Sequence, residues 1–203
     1  MRPSFSLISS SFHCLFLLLV LFHGGVVNGV DITDETCKKA ANTSPKLIYN
    51  FCVSSLQANP KSQTADLREL GVISMELCMN NATYISSHIV KLLEEDQTRV
   101  LVDPRAKKYL RDCLYLYNNA IPDVEDAIKA FEDKDNFSAN IKMSAAMDAS
   151  ITCEDGFKEE EDLVSPLAKE DGDFFQLTAT ALAINNLVVV HNHQFDSLSI
   201  LSM

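Results

Sequence analysis

The chain contains no tryptophan and is poor in glycine, with 6 glycines in 203 residues. Beyond residue 30 only Gly71, Gly156 and Gly172 remain, and no Asn-Gly turn occurs there. Long alternating runs of β-branched residues are also missing, so the usual signals of β-hairpins are lacking. Because 47% of the residues are apolar, a helical domain with a sizeable core is the predicted class.

Catalytic and metal-binding patterns are missing as well. There is no Gly-x-Ser-x-Gly, His-Glu-x-x-His, Cys-x-x-Cys or glycine-rich phosphate loop. His88 has no ligand-like neighbour, and His191 and His193 would point to different sides of a helix. Asp171 and Asp173 flank Gly172, which favours a helix-capping turn over a calcium site. We therefore predict no catalytic site and no metal site, and a protein that works through its surface.

Residues 1–29 have the pattern of a signal peptide. One arginine precedes an apolar run from Phe12 to Phe22, and Val27-Asn28-Gly29 offers small residues for cleavage after Gly29. The alternative is a membrane anchor, but about 11 apolar residues are too few for a span of about 20. No later segment looks long enough either. We predict a secreted, extracellular protein, with the vacuole as the other destination.

Removal of the leader leaves 174 residues with 16 basic and 28 acidic side chains, a net charge of −12. This length suits one domain, residues 30–203. The acidic balance argues against nucleic acid and anionic membranes as partners, and it permits a basic protein partner. Solubility alone is the competing explanation of the charge.

Five cysteines remain after cleavage, which suggests two disulfides and one thiol in an oxidising compartment. Apolar or small residues recur in fours and threes from Cys113 to Phe131, and again from Ala139 to Phe157. The pattern predicts two antiparallel helices joined by the polar break at 132–135. Cys113 and Cys153 each lie 20 residues from Asp133, so a disulfide between them would close the open end of this helical hairpin.

The rest of the chain after the leader is also predicted to be mainly helical. A small N-terminal hairpin, about 31–58, carries Cys37 and Cys52 on either side of a break at Ser44-Pro45, with Pro45 in the first turn of its second helix. A four-helix, up-and-down bundle, about 62–190, follows, and Pro122 is expected to kink its second helix. An acidic loop then leads to Asp173 as cap of the last helix, and 191–203 forms an irregular tail. Cys78 adjoins the apolar stripe; a buried thiol and a reactive thiol both remain open.

Three sequons offer N-glycan acceptors at Asn42, Asn81 and Asn136. A glycan at Asn136 would cover the turn of the central hairpin.

Several short segments carry a family pattern: Thr36-Cys37, Pro45 to Leu56, Leu110-x-Asp112-Cys113-x-x-x-Tyr117, Ser144 to Ala149, Thr152 to Phe157, Ser165-Pro166-Leu167 and Gln176-Leu177-Thr178. Through these segments the sequence resembles the plant invertase/pectin methylesterase inhibitor family over the whole chain after the leader. Segments 49–52 and 64–74 look most like the plane-tree pollen allergen branch of that family.

The resemblance implies disulfides Cys37–Cys52 and Cys113–Cys153, with Cys78 as an additional thiol. It also implies no enzyme activity and no cofactor. Members of the family form one-to-one complexes with plant acid invertases or pectin methylesterases of the cell wall or vacuole, and the resemblance implies the same here. In that family, pectin methylesterase inhibitors cover the enzyme's cleft with faces of the bundle helices. Invertase inhibitors insert a short Pro-Lys-Phe loop, which connects bundle helices, into the sucrose pocket of the enzyme. Here the matching turn reads Asp135-Asn136-Phe137, so only the phenylalanine of that loop is kept.

Three functions follow as hypotheses. The first is an inhibitor of a carbohydrate-processing enzyme, either an acid invertase or a pectin methylesterase. The second is a secreted, allergen-type binding protein without inhibitory activity. The third, an enzyme, has no visible acid–base or nucleophile pair in its support.

Overall fold

The structure is a computed structural model that describes residues 31–95 and 103–201. Within these ranges it contains six α-helices, one short 3-10 helix at Pro60–Gln63, and no β-strand. The all-helical fold class is confirmed. The predicted signal peptide lies outside the described residues. The helices are α1 (Ile32–Thr43), α2 (Tyr49–Gln57), α3 (Leu67–Glu95), α4 (Ala106–Glu132), α5 (Asn136–Lys158) and α6 (Ala168–Leu201).

Helices α3 to α6 form a closed four-helix bundle in which α4 packs on α3 and α5, and α6 packs on α5 and α3. The buried stripes of α4 and α5 are those that the spacing predicts, because every third or fourth residue returns to one face of a helix. In α4 the buried positions include Cys113, Tyr117 and Phe131, and in α5 they include Met143 and Phe157. Pro122 lies inside α4, which continues to Glu132.

The described residues contain two disulfides, which is the number in the predicted fold. Cys113 and Cys153 join α4 to α5 with their Cα atoms 4.9 Å apart. This bond lies at the end of the central hairpin away from its turn. Cys37 and Cys52 join α1 to α2 across 15 residues, with a Cα separation of 5.8 Å.

The small hairpin formed by α1 and α2 packs on the bundle of the same chain, chiefly on α6. Its buried residues share a core with the beginning of α3 and the middle of α6, including Leu56, Leu70 and Ile184. Two hydrogen bonds add to this packing. The backbone N–H of Ile48 donates to Oε1 of Gln176 at 2.8 Å, and Nε2 of Gln176 donates to the Lys46 carbonyl at 2.9 Å.

The boundaries near proline and in the C-terminal part differ from the sequence prediction. Pro45 lies in a turn, and α2 begins four residues later at Tyr49. Helix α6 begins at Ala168, so Asp171, Gly172 and Asp173 lie inside it and form no capping turn. The predicted irregular tail is wrong at least to Leu201, where α6 ends. Residues 169–173 are four charged side chains and a glycine and have no apolar stripe, so helical spacing did not indicate that the helix begins there.

Helix α6 also corrects the expectation that no segment beyond the leader is long enough to span a membrane. Among the described residues, Ala168–Gln194 is long and apolar enough by length and composition. Its most apolar window is 61% buried inside the bundle. The apolar character of α6 is therefore explained by its contacts with α3, α5 and the small hairpin.

Candidate functional site

The turn between α4 and α5 has a defined geometry. Lys134 adopts a left-handed conformation with φ 66°. Its N–H donates to the Phe131 carbonyl at 3.1 Å, and the N–H of Asp135 donates to the Ala130 carbonyl at 2.8 Å. These two bonds are those of a Schellman motif, which satisfies the last carbonyls of a helix. The turn is therefore short and fully hydrogen-bonded.

Asp135 starts the next helix. Its carboxylate accepts a hydrogen bond from the backbone N–H of Ser138 at 3.0 Å, as an N-cap residue does. Hydrogen bonds from the Ser138 side chain, and then from its backbone, hold the pKa of Asp135 below its usual value. Asp135 is exposed but already engaged by its own helix, so it fixes the direction in which α5 leaves the turn.

The turn rests on α3 through Phe131. The Phe131 ring is fully buried, and the guanidinium of Arg68 on α3 lies 4.8 Å from its centroid. Nη1 of Arg68 also donates to the Phe131 carbonyl at 2.6 Å. This side chain thus caps the end of α4 with a positive charge, where the helix dipole favours one.

Helix α6 holds the other side of the turn. Nδ2 of the buried Asn185 donates to the Asn136 carbonyl at 2.9 Å. Oδ1 of Asn136 is buried and has no hydrogen-bond partner. The predicted turn residue Asn136 is therefore half-buried and fastened to the bundle.

Phe137, in contrast, projects into solvent. Its side chain is 76% exposed, and Ile141, one helical turn later, is 51% exposed. Exposed large apolar side chains next to each other on a rigid helix are typical of a contact surface. The structure thus brings an aromatic and an aliphatic side chain together on a base that three helices hold. We call Lys134, Asp135, Phe137 and Ile141 the hairpin tip.

Several residues of this site were not predicted from the sequence. Ile141 follows Phe137 by four residues, so helical spacing alone could have indicated it. Arg68 and Asn185 contact the turn from 63 and 49 residues away, and no local pattern identifies such partners. The left-handed conformation of Lys134 has no local signal either, because lysine seldom adopts it.

The remaining candidate residues lie away from the tip. Cys78 is a free thiol that is fully buried, and its Sγ donates to the Ser74 carbonyl at 3.2 Å. Burial raises the pKa of Cys78 far above its usual value, which suppresses the reactive thiolate. His88 stacks on Tyr84 with the ring centroids 5.9 Å apart. In the described part of the chain, no cluster of three or more His, Cys, Asp or Glu could hold a metal ion.

The three sequons differ in their surroundings. Asn42 is exposed in the last turn of α1. Asn81 is half-buried in the middle of α3, and its Oδ1 is buried without a partner. Asn136 has the same orphaned oxygen at the turn. The described surface therefore leaves Asn42 as the freest acceptor.

Fold and tip together define a disulfide-linked helical bundle with exposed apolar side chains at one end of its central hairpin. The family model for the plant invertase/pectin methylesterase inhibitor matches residues 31–184. The chain belongs to this family.

Individual relatives agree with that assignment. The chain is 48% identical to the "Putative invertase inhibitor" of Platanus acerifolia, over 93% of this chain and 99% of the relative. It is 30% identical to the "Pectinesterase inhibitor" of Actinidia deliciosa, over 91% and 97% respectively. It is 29% identical to the "Cell wall / vacuolar inhibitor of fructosidase 2" of Arabidopsis thaliana, over 78% and 86%.

A solved structure is similar as well. The crystal structure of mutant form A of a pectin methylesterase inhibitor from Arabidopsis superposes with a TM-score of 0.61 at 26% identity. The similarity covers 73% of this chain and 95% of that one. The relatives thus include proteins named as inhibitors of both enzyme classes, and two of them are named cell wall / vacuolar inhibitors.

Proposed function

We propose that this protein inhibits a plant acid invertase or pectin methylesterase by forming a stoichiometric complex. The observation that carries the proposal is the exposed Phe137 on a turn held by Arg68 and Asn185. A pre-organised turn loses little conformational freedom on binding, so its aromatic side chain can contribute most of its burial energy to affinity. Membership of the inhibitor family supports the enzyme class of the partner.

The hairpin tip is the part of the surface that we expect to enter the target. Phe137 supplies the aromatic anchor, and Ile141 extends the apolar contact along α5. Lys134 is exposed at the same turn, but so are Glu132, Asp133 and Asp135, so the turn carries a net negative charge and lacks the family lysine at positions 135–137. An acid invertase is therefore a partner that the tip would bind through the apolar Phe137 and not through charge.

The face of α5 is the second contact that we consider. Ile151 lies further along this helix and is 40% exposed. Ile141 and Ile151 are two exposed apolar side chains on α5, ten residues apart with the exposed Asp148 between them, and a flat partner surface could cover both. Pectin methylesterase is the target that this arrangement favours, because its inhibitors use helix faces.

The decisive experiment titrates the purified protein into an acid invertase and into a pectin methylesterase, each at about pH 5. We expect one of the two activities to disappear at a one-to-one ratio. If neither enzyme from the same tissue is inhibited, the non-inhibitory, allergen-type binding protein becomes the better hypothesis. Turnover of a glycoside or sugar ester by the protein alone would contradict both.

A pair of matched variants then locates the contact. Phe137→Ala removes the exposed anchor, and Val164→Ala removes an equally exposed apolar side chain in the loop between α5 and α6. We expect Phe137→Ala to raise the inhibition constant about 30-fold, the loss typical of an interface anchor worth about 2 kcal/mol. Val164→Ala should leave it unchanged. Equal effects of the two variants would exclude the tip as the contact.

Secretion and glycosylation are part of the same proposal. Residues 1–29 act as the signal peptide, and residues 30–203 form the inhibitor domain that reaches the extracellular space. The two disulfides support this route, because such bonds persist in oxidising compartments. Among the three sequons, Asn42 is the acceptor that we expect to carry a glycan. To test this assignment, the mass of each protein is measured before and after treatment with an enzyme that removes N-glycans. The wild type and the control Asn81→Gln should lose mass, whereas Asn42→Gln should not.

A further inference from the structure

A buried carboxyl group lies at the contact between α4, α5 and α6. Asp171 on α6 is 2% exposed. Its Oδ1 accepts a hydrogen bond of 2.6 Å from the hydroxyl of Tyr117 on α4, whose side chain is fully buried. Its Oδ2 is buried and has no hydrogen-bond partner. A carboxylate left with a dehydrated and unpaired oxygen is strongly disfavoured.

A second carboxyl group faces the same place. Glu154 on α5 and Asp171 line one groove, whose hairpin side is formed by the uncharged Ile48 and Phe51. Oε2 of Glu154 is also buried without a partner. Lys169 and Asp173 line the same groove, but they form an ion pair with each other. The two carboxyl groups with orphaned oxygens thus have no cationic partner of their own there, and two buried negative charges repel each other strongly.

The charges around Asp171 do not neutralise it. Burial raises the pKa of Asp171 to about 7, with further contributions from Glu154 and Glu170. The hydrogen bond from Tyr117 and the charge of Lys158 act in the opposite direction but are too weak to cancel these effects. Burial also raises the pKa of Tyr117, so this hydroxyl remains a donor at every relevant pH. The hydrogen bond to Asp173 raises the pKa of Lys169 on α6, with smaller contributions from Glu170 and from Tyr84 of α3.

The orphaned oxygens have essentially no accessible surface, so a side chain of a partner cannot reach them. A proton is the ligand that fits. We propose that Asp171 is a buried proton-binding site that fastens α6 to α4 and α5 in acid and weakens this contact as the pH rises. The neutral acid keeps the Tyr117 hydrogen bond and removes the repulsion with Glu154.

The direction of the effect follows from linkage. In the unfolded chain an aspartic acid releases its proton near pH 4, whereas Asp171 in the folded protein holds it to about pH 7. The folded state therefore binds more protons between these values, and its stability decreases as the pH rises through them. The stabilisation is complete below about pH 4 and is lost above about pH 7. Asp171 thus makes the fold more stable in acid than at neutral pH.

The small hairpin is attached to α6 close to Asp171, so a weaker packing of α6 would also affect this attachment. Gln176, which holds the small hairpin through Ile48 and Lys46, lies five residues after Asp171 on the same helix. Ionisation of Asp171 therefore weakens α6 next to the place where the small hairpin is attached.

The test compares the melting temperatures of the wild-type protein and Asp171→Asn at pH 4.5 and pH 7.5. Asparagine keeps the size of the neutral acid and can accept from Tyr117, but it cannot ionise. We expect the wild-type melting temperature to fall between the two pH values by about 5 °C more than that of the variant. Asp148→Asn, at an exposed position on α5, should fall as the wild type does. Equal falls for the wild type and Asp171→Asn would overturn the proposal.

A second measurement needs no variant. The side-chain carboxyl carbon of Asp171 is followed by NMR in the wild-type protein from pH 3 to pH 9. We expect a titration midpoint near pH 7, about three units above that of exposed aspartates. A midpoint below pH 5 would overturn the proposal even if Asp171→Asn failed to fold.

Discussion

The ring of Phe131 occupies the space that a side chain at residue 71 would need. A Cβ at Gly71 would lie 2.5 Å from Cζ of Phe131 and 2.7 Å from Cε1. Non-bonded carbon atoms do not approach so closely, and Phe131 is fully buried, so its ring has little room to move. The glycine on α3 therefore permits the end of α4, and with it the hairpin tip, to pack against α3.

This contact predicts the sign of a substitution that helix propensity alone would get wrong. Gly71→Ala should destabilise the protein by about 1 to 3 kcal/mol, the cost of overpacking, despite alanine's advantage of about 1 kcal/mol in a helix. Gly172→Ala on α6 is the matched control, because nothing lies within 4 Å of its Cβ. The control should be neutral or stabilising by up to about 1 kcal/mol. Urea unfolding of both variants measures the difference, and two stabilised variants would contradict the argument.

The Cys113–Cys153 disulfide predicts a large effect on stability. It closes a loop across 40 residues, which by the chain-entropy estimate stabilises the fold by about 4 kcal/mol. The variant with both cysteines changed to serine should lose about 8 to 15 °C in melting temperature. An unchanged melting temperature would show that the bond contributes little. The pair Cys37 and Cys52 gives the comparison, since its loss should loosen the small hairpin and leave the bundle folded.

The amide of Gln176 predicts a local effect. Gln176→Ala removes both hydrogen bonds to the loop between α1 and α2 and leaves the Ile48 N–H without its partner. We expect faster amide hydrogen exchange from Leu47 to Leu56, equivalent to a local loss of about 1 to 3 kcal/mol. Exchange in α4 and α5 should stay as in the wild type. Uniform acceleration across all helices would mean that the hairpin and the bundle unfold together.

The environment of Cys78 predicts its reactivity. In the protein without its leader, Cys78 is the one unpaired cysteine, and it is fully buried. A thiol reagent should therefore label one group per chain in denaturant and almost none under native conditions. Rapid labelling of the native protein would show that the core around α3 opens readily.

The central hairpin was predictable because its information is local. The buried residues from Cys113 to Phe157 repeat with the helical period, so α4, α5 and their antiparallel arrangement follow from spacing alone. The beginning of α6 was not predictable in this way. Asp171 looks like a turn residue, yet its hydrogen bond goes to Tyr117, 54 residues earlier, and burial by other helices outweighs its local preference.

The same limit applies to the hairpin tip. Phe137 was predicted from the family resemblance, and its position on the helix also indicates Ile141. Arg68, Gly71 and Asn185 support the tip from other helices, and their roles depend on which helices lie side by side. Local sequence patterns contain no such information. Supporting contacts of this kind become visible only when the tertiary structure is known.

The attachment of the small hairpin to α6 has a consequence for biosynthesis. Ile48 leaves the ribosome early, whereas Gln176, to which it is bonded, follows 128 residues later. The Cys37–Cys52 bond spans only 15 residues, so it can form while most of the chain is still being made. The apolar side of the oxidised hairpin then stays exposed until α6, against which it packs, has been translated. Chaperones that bind the growing chain therefore meet this protein first as an exposed N-terminal hairpin, and premature termination before α6 would leave that hairpin permanently exposed.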